Sequence, residues 1–357
     1  MSDTLAALHA WVGEQLSEDC TALALSLIAG DASPRQYFRA TWNSINNAMR
    51  YTAIAVLAPA TEKTAEFLLV QRHLQEHNIR VPKVLAQSVD QGFMLLEDLG
   101  DRLLLPALNE QTVAHYYETA QAMLLTLAHP DVARVNIDAY DEALLRRELD
   151  LFPDWYIGEL LKLPVDDSLA MNLEELWRLL VANAAGQPQV FVHRDFHSRN
   201  IMSLDHGELA VIDFQDAVIG PITYDLVSLL KDCYVQWPRA QQLAWSRKHR
   251  AQLIAAGVCE AVSEEQWQRW FDLMGLQRHL KVLGIFARLS LRDGKSAYLN
   301  DLPRVLDYVI EVLRIYAPTH GAFANLLHWF ETTALPHCTD LPWFTGSNPG
   351  QAGAEHA

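Results

Sequence analysis

The chain has 357 residues, half of them apolar, and 28 Lys and Arg against 44 Asp and Glu give it a formal net charge of −16. This length predicts two domains or lobes with a substantial hydrophobic core. The negative charge argues against a nucleic acid or an anionic membrane as the main partner. An anionic nucleotide is still compatible with this charge if a divalent cation and a few local basic groups balance its phosphates.

The four cysteines lie far apart and form no CxxC pair, so neither a zinc ribbon nor a disulfide framework is predicted. The N-terminal segment carries Asp3 and Glu14 without a basic cluster, which is not typical of a secretory signal. No uncharged apolar stretch reaches the ~20 residues that would span a bilayer. We therefore expect a cytoplasmic protein.

The first hundred residues show helical and strand patterns in turn. Residues 3–17 have helical periodicity, Thr52–Ala58 is an apolar run of strand length, and Glu62–His77 is helical again. Gly92–Gly100 predicts a strand that runs into a turn. Residues 1–100 are therefore predicted to form a small α+β unit.

The chain beyond residue 100 is predicted to be mainly helical. Only Gln189–His193 and Glu208–Asp213 have the short apolar pattern of strands there. Residues 345–357, rich in Gly, Ser, Pro and Gln, are predicted to be disordered. Helical periodicity covers residues 110–127, 141–152, 173–184, 223–234, 239–256, 264–292 and 302–315.

The most informative stretch is Val-His-Arg-Asp-Phe-His-Ser-Arg-Asn-Ile-Met at 192–202, followed by Val-Ile-Asp-Phe at 211–214. It fits H-R-D-x-x-x-x-N with a downstream D-F, the catalytic-loop and metal-binding pattern of kinases. Asp195 is predicted to accept the proton of a substrate hydroxyl. Asn200 and Asp213 are predicted to hold a Mg²⁺ ion on the phosphates of ATP, because phosphoryl transfer needs in-line positioning and charge neutralisation.

These residues resemble the aminoglycoside-phosphotransferase-like branch of the kinase fold, which usually has H-x-D-x-x-x-x-N in this loop. Phe214–Leu230 is similar to the segment that follows the metal-binding aspartate in that branch. Four further segments resemble the branch's amino-sugar kinases of bacterial cell-wall recycling. They are Gly30–Arg39, Leu95–Gly100, Arg147–Trp155 and Gln277–Arg288.

The resemblance implies an α+β, bilobal protein-kinase-like fold. Residues 1–100 would form a small β-rich N-lobe that binds the nucleotide, and residues 101–344 a large, mainly helical C-lobe with the catalytic loop and the sugar site. The implied reaction transfers the γ-phosphate of ATP, with Mg²⁺, to the C1 hydroxyl of an amino sugar.

The resemblance also assigns roles to single residues. Asp225 would brace the catalytic loop, and the backbone near Glu97 and Leu99 would bind the adenine. His193 is expected to be a satisfied internal hydrogen-bonding group, because the aspartate two residues later can act as the base. The residues expected at the sugar are Glu148, Trp155 and Arg278.

The phosphate anchor departs from the family pattern. A kinase of this fold has a lysine on its third strand, but Thr52–Ala58 contains none, and the nucleotide loop lacks G-x-G-x-x-G. Backbone N–H groups and a nearby arginine can still bind phosphate. The sequence is therefore also compatible with a catalytically silent nucleotide-binding scaffold. The expected phosphate contacts are Gly30, Ser33, Arg35 and Lys63, with Arg39 and Arg50 as further candidate cations.

Other functions also stay open from the sequence. An aminoglycoside, choline or another sugar would suit the same catalytic residues. His73–His77 fits the zinc-protease pattern H-x-x-E-H. His193, Asp195 and His197 alternate as the metal ligands of a hydrolase would along an extended strand, although that site leaves Asn200 and Asp213 unexplained.

Overall fold

The computed structural model describes residues 3–16, 20–28, 35–45, 49–59 and 62–344. The chain falls into two compact units: a smaller one up to Leu108 that also includes Arg199–Asp216, and a larger one of Asn109–Ser198 and the residues from Ala217 onward. The sequence placed the division at residue 100 and did not foresee that 199–216 belongs with the smaller unit. The predicted disordered tail, 345–357, lies outside the described residues.

The secondary structure is α+β, as predicted. The strands are β1 (Cys20–Leu27), β2 (Gln36–Ser44), β3 (Arg50–Leu57), β4 (Val84–Ser88), β5 (Phe93–Glu97), β6 (Gln189–Val192), β7 (Ile201–Ser203), β8 (Leu209–Val211) and β9 (Val218–Pro221). The α-helices are α1 (Asp3–Gln15), α2 (Thr64–Glu76), α3 (Val113–Leu127), α4 (Glu142–Leu149), α5 (Asp167–Ala185), α6 (Tyr224–Leu230), α7 (Arg239–Ala255), α8 (Glu264–Asp293), α9 (Leu302–Tyr316), α10 (Gly321–Trp329) and α11 (Leu335–Cys338). Phe152–Leu160 and Phe330–Ala334 are π-helical.

The smaller unit is built on an antiparallel sheet with the order β1-β2-β3-β5-β4. Because side chains alternate along a strand, Ala53 and Ala55 of β3 share one face, and there they pack against Leu8 and Trp11 of α1. Neither flanking strand has a buried residue: β1 is mostly exposed, and β4 alternates between partly buried and exposed residues. Weak apolar alternation explains why the sequence predicted neither of them.

A two-stranded hairpin completes the smaller unit. The strands β7 and β8 pair antiparallel, with Ile201 opposite Val211. The Val211 N–H donates to the Arg80 carbonyl at 2.9 Å, which attaches the hairpin to the segment after α2. Sequence patterns predicted β8 but not β7, because three residues are too few to show a period.

Helix α8 forms the centre of the larger unit. It has 30 residues, and nearly all of them between Trp267 and Leu289 are buried. It ends at Gly294, whose φ of 70° suits a glycine C-cap. A Cβ at Gly284 would lie 2.3 Å from the Leu151 carbonyl oxygen, so the helix backbone lies directly against the chain that enters the first π-helical segment.

The region around β6 differs from the sequence expectation in two ways. Strand β9, which pairs antiparallel with β6, was not predicted. The helix predicted through residue 234 ends at Leu230 in α6. After the helix end the Lys231 carbonyl lies 2.9 Å from Nε2 of His279 in α8, and the Tyr234 N–H donates to the Asp232 carboxylate in a local turn.

Within the part of the chain that the structure describes, no helix is both long and apolar enough to cross a membrane.

Candidate active site

The catalytic loop follows β6 in the larger unit. The backbone N–H groups of His193 and Arg194 donate to the two carboxylate oxygens of Asp225, at 2.6 and 3.0 Å. Arg194 has a φ of 73°, an uncommon backbone conformation for a residue other than glycine. These bonds hold the loop backbone in that turn immediately before Asp195.

His193 is completely buried. Its Nδ1 accepts a hydrogen bond from the Asp195 N–H at 3.3 Å, and its ring meets Phe196 edge-on, with centroids 5.9 Å apart. The imidazole therefore lies inside the loop and supports its turn.

Positive side chains surround Asp195. Burial raises the pKa of its carboxyl, but the charges of Lys281, His197, Arg194 and Arg278 outweigh that effect, and the net pKa lies below the ordinary value. Asp195 is therefore ionised at neutral pH. A carboxylate of low pKa is a weak base, so it is suited to orient a hydroxyl and to take its proton as the bond to phosphorus forms.

Glu148 connects these cations beneath the loop. It is buried at the end of α4 and accepts from Tyr140 Oη and from the Arg194 guanidinium, and Lys281 Nζ lies 2.9 Å from its Oε1. Lys281 also donates to Tyr224 Oη at 3.0 Å. Burial raises the pKa of Glu148, but Lys281 and Arg194 lower it to a net value below normal.

The two predicted metal ligands meet in the smaller unit. Asn200 directly precedes β7 and Asp213 follows β8, and the Ile212 N–H donates to the Asn200 carbonyl at 3.0 Å. The hairpin thereby brings Asn200 Nδ2 to 3.4 Å from Asp213 Oδ2. The Phe214 ring stacks on Phe67 of α2, with centroids 4.9 Å apart. Carboxylate and amide oxygens suit Mg²⁺, which usually takes one or two carboxylates together with substrate phosphates.

The other metal sites considered from the sequence are not assembled. Among the described residues, no three His, Cys, Asp or Glu side chains are grouped to bind a metal ion. This applies to His73, Glu76 and His77 and equally to the alternating residues of the catalytic loop. The His77 Nδ1 lies 2.9 Å from the His73 carbonyl oxygen, so this histidine contacts the backbone at the C-terminus of α2.

Arg35 is a buried cation in the smaller unit. Its Nε lies 3.2 Å from Glu62 Oε2, and its guanidinium lies 5.3 Å from the centroid of the Phe67 ring. Burial raises the pKa of Tyr37, while Arg35 lowers it and Asp213 raises it. Arg35 and the predicted metal ligand Asp213 therefore act on the same tyrosine.

The other predicted nucleotide residues have varied surroundings. Glu97 ends β5, and its carboxylate accepts from Arg80 at 2.6 and 2.8 Å; the hydrogen bond from Arg80 holds the pKa of Glu97 below normal. Leu99 is half-buried, and Lys63 is an exposed residue at the start of α2. Gly30 and Ser33 lie outside the described residues.

The three residues predicted to contact the sugar differ in their burial and in their protein partners. Glu148 is occupied as described above, and buried Arg278 of α8 donates to Ser228 Oγ at 2.8 Å and to Cys233 Sγ at 3.3 Å. Trp155, in the first π-helical segment, packs partly buried against the core of the larger unit. Contact of these residues with a sugar stays a prediction.

Several residues that shape both units have roles that the sequence did not predict. Arg39, a candidate phosphate cation in the sequence, donates to the carboxylates of Asp98 and Asp101, each through two bonds of 2.7 to 3.1 Å, and so fixes the turn after β5. No role was predicted for Lys281, which lies within the segment Gln277–Arg288. Asp232, which holds Ser198, carried no signal because its partner lies 34 positions away.

Comparison with known proteins identifies the group to which these features belong. Residues 24–260 match the model of the phosphotransferase enzyme family. The chain belongs to that family. The family assignment made from the catalytic-loop residues is thereby confirmed.

Three curated relatives are similar over most of the chain, and each is named N-acetylmuramate/N-acetylglucosamine kinase. The Pseudomonas putida protein is 38% identical over 318 residues, which cover 86% of this chain and 91% of that protein. The Pseudomonas aeruginosa protein is 41% identical, covering 79% and 81%. The Neisseria meningitidis protein is 37% identical, covering 85% and 90%.

Solved structures agree on the fold. An ethanolamine kinase of Plasmodium vivax superposes with a TM-score of 0.59 at 12% identity, covering 86% of this chain and 87% of that one. A choline kinase of Streptococcus pneumoniae gives 0.55 at 13% identity, covering 85% and 99%. The kinase-like α+β fold predicted from the sequence is therefore confirmed.

The brace on the catalytic loop predicts a pH dependence of stability. Burial raises the pKa of Asp225 to about 7, although its two backbone hydrogen bonds oppose the shift. An unfolded aspartate ionises near its reference pKa of about 3.9. Between these values the folded protein keeps a proton that the unfolded chain has lost, so the contribution of Asp225 to stability falls as the pH rises from about 4 to about 7.

Asp225→Asn cannot titrate at this position. We expect the unfolding free energy of the wild type to fall relative to that of the mutant as the pH rises from 4.5 to 7. Urea unfolding followed at several pH values measures it. A difference that stays constant, or one that moves in favour of the wild type, would contradict the raised pKa.

Proposed function

We propose that this protein is an ATP-dependent kinase that transfers the γ-phosphate to the anomeric C1 hydroxyl of N-acetylmuramate or N-acetylglucosamine, as a step of cell-wall recycling. The observation that carries the proposal is the likeness, over most of the chain, to relatives that bear this name. The catalytic loop supports it, because the sequence fits the H-R-D-x-x-x-x-N pattern with a downstream D-F, and Asn200 lies beside Asp213.

In this proposal Asp195 is the base. Its carboxylate orients the C1 hydroxyl and accepts the proton as phosphorus is attacked. An anomeric hydroxyl is more acidic than that of an ordinary alcohol, so a weakly basic carboxylate is sufficient. Arg194, Lys281 and the other cations near Asp195 keep the carboxylate ionised.

Asn200 and Asp213 are proposed to bind Mg²⁺. When bound, the ion neutralises charge on the nucleotide phosphates. The chain itself holds the two side chains together through the hairpin of β7 and β8, and Gln215 Nε2 donates to Asp213 Oδ1 at 2.7 Å. This contact restrains the carboxylate on its other oxygen.

Arg35 is proposed to replace the missing third-strand lysine. In protein kinases that lysine pairs with a glutamate of the following helix. Here Arg35 pairs with Glu62, just before α2, and it directly follows the predicted nucleotide loop at residues 30–33. The pair therefore offers a cation where the phosphates are expected, with Lys63 as a neighbour.

Of the three residues that the sequence suggested for sugar contact, we propose only Trp155. Glu148 binds Arg194 and Lys281, and Arg278 helps to hold the pKa of Asp195 low, so we assign Glu148 and Arg278 to the support of Asp195. Trp155 retains exposed surface, and an aromatic face suits the C–H groups of a sugar ring.

A side-by-side assay tests the function. We expect Mg²⁺-dependent ADP release with N-acetylmuramate and N-acetylglucosamine, and little with kanamycin or choline. The 1,5-anhydro form of N-acetylglucosamine, which lacks only the C1 hydroxyl, is the matched control and should not be phosphorylated. ATP binding without turnover of any acceptor would instead support a silent scaffold, and turnover of kanamycin or choline alone would identify a different kinase.

Removing the base tests the role of Asp195. Asp195→Asn keeps the shape of the side chain but cannot accept the proton, so turnover should fall by at least ~10². ATP affinity, measured by calorimetry in the presence of Mg²⁺, should stay close to that of the wild type. A variant that turns over at the wild-type rate would remove Asp195 from its proposed role.

Removing the cation tests the role of Arg35. Hydrogen bonds to charged groups contribute about 1.5–3 kcal/mol, so Arg35→Ala should raise the KM for ATP by roughly 10- to 100-fold. Arg35→Lys should recover part of this loss. Arg178, an exposed arginine paired with Glu175, provides the control, because Arg178→Ala should leave the KM unchanged. An unchanged KM in Arg35→Ala would mean that another cation anchors the phosphates.

A further inference from the structure

Asp232 is a buried carboxylate just after α6 that the kinase motif does not include. Its Oδ2 accepts from the backbone N–H and from the hydroxyl of Ser198, at 2.9 and 2.6 Å. Its Oδ1 accepts from the Tyr234 N–H at 3.0 Å. Ser198 is fully buried and lies three residues after Asp195. Two bonds from one residue fix both the position and the orientation of Ser198.

The catalytic loop is therefore held on both sides of Asp195. Asp225 accepts the N–H groups just before it, and Asp232 accepts the donors of Ser198 just after it. Asp225 lies in the first turn of α6, in which every residue is buried, and Asp232 lies two residues after the end of that helix. The loop backbone between them has a short turn of its own, in which the His197 N–H donates to the Asp195 carbonyl at 3.0 Å.

The segment that carries Asp232 is fixed in turn by α8. The Lys231 carbonyl contacts His279, and Cys233 Sγ accepts from Arg278 at 3.3 Å. The Tyr234 ring meets His197 of the loop edge-on, with centroids 5.3 Å apart. Residues 231–234 thus contact both α8 and the C-terminal half of the catalytic loop, and so fix the loop relative to that helix.

We infer that Asp232 is a positioning residue for phosphoryl transfer, which fixes Ser198 and thereby keeps Asp195 in its reactive position. Asp232 touches no reacting atom. Its effect on turnover rests on the proposed function, whereas its effect on the loop can be measured without turnover. A displacement of about 1 Å in a reacting group can cost ~10² in rate, so the contribution of such a brace is measurable.

The test compares Asp232→Asn with Ser198→Ala. Asparagine has one acceptor oxygen, whereas both oxygens of Asp232 accept, so Asp232→Asn leaves the donors of either Ser198 or Tyr234 unpaired. Ser198→Ala removes only the hydroxyl bond and keeps the backbone bond. Asp166→Ala is the matched control, because Asp166 accepts the Leu169 N–H at 2.8 Å as the cap of α5 in the same unit.

We expect Asp232→Asn to lower kcat by ~10- to 100-fold while KM for ATP and for the sugar changes by less than about threefold. Ser198→Ala should lower kcat by ~3- to 10-fold, and adding it to Asp232→Asn should cause little further loss, because both changes act on the hydrogen bonds between Ser198 and residue 232. Asp166→Ala should lower the thermal midpoint and leave kcat unchanged.

Amide hydrogen exchange on the substrate-free, full-length protein reports the loop directly. Residues 193–198 should exchange faster in Asp232→Asn and at the wild-type rate in Asp166→Ala. The inference is overturned if residues 193–198 of Asp232→Asn exchange at the wild-type rate. It is also overturned if Asp232→Asn changes KM while kcat stays constant. If the wild type phosphorylates no sugar, the proposed function fails, and exchange alone decides whether Asp232 fixes the loop. If Asp232→Asn does not fold, Ser198→Ala decides by the same two readouts.

Discussion

The catalytic loop depends on carboxylates that satisfy backbone donors. A loop of this kind has no strand or helix partner for its N–H groups, and a buried donor without a partner is costly. Asp225 accepts two of these donors and Asp232 a third. Because both carboxylates come from the buried helix α6 and the segment after it, the loop takes its shape from the core of the larger unit. Asp195 then projects from a backbone that its neighbours have already fixed.

Charge is balanced locally around this loop. Asp195, Asp225 and Glu148 lie in one small region, and Arg194, Arg278 and Lys281 lie among them. Each buried carboxylate therefore has a cation or several N–H donors near it, as buried charge requires. The surplus of acidic groups that gives the chain its charge of −16 belongs elsewhere, mainly to exposed side chains.

The sequence was sufficient to predict roles for the residues of the loop and insufficient to predict the contacts that support them. The loop pattern predicts the roles of Asp195, Asn200 and Asp213, because their spacing is set along the chain. It missed β7, although that three-residue strand is the reason that Asn200 meets Asp213. Asp232 was missed because its partner, Ser198, lies 34 positions away, and the hydrophobic periodicity of a sequence carries no information on such distant pairs. Glu148 and Arg278 were expected at the sugar, whereas their burial and their partners became visible only in the fold.

The contact between Gly284 and Leu151 fixes the spacing of two elements of the larger unit. Helix α8 carries Arg278 and Lys281, and the π-helical segment that follows Leu151 carries Trp155. Because a Cβ at position 284 would lie 2.3 Å from the Leu151 carbonyl oxygen, any larger residue there would force the two elements apart. The absence of a side chain at a single position therefore sets how closely these two elements approach each other.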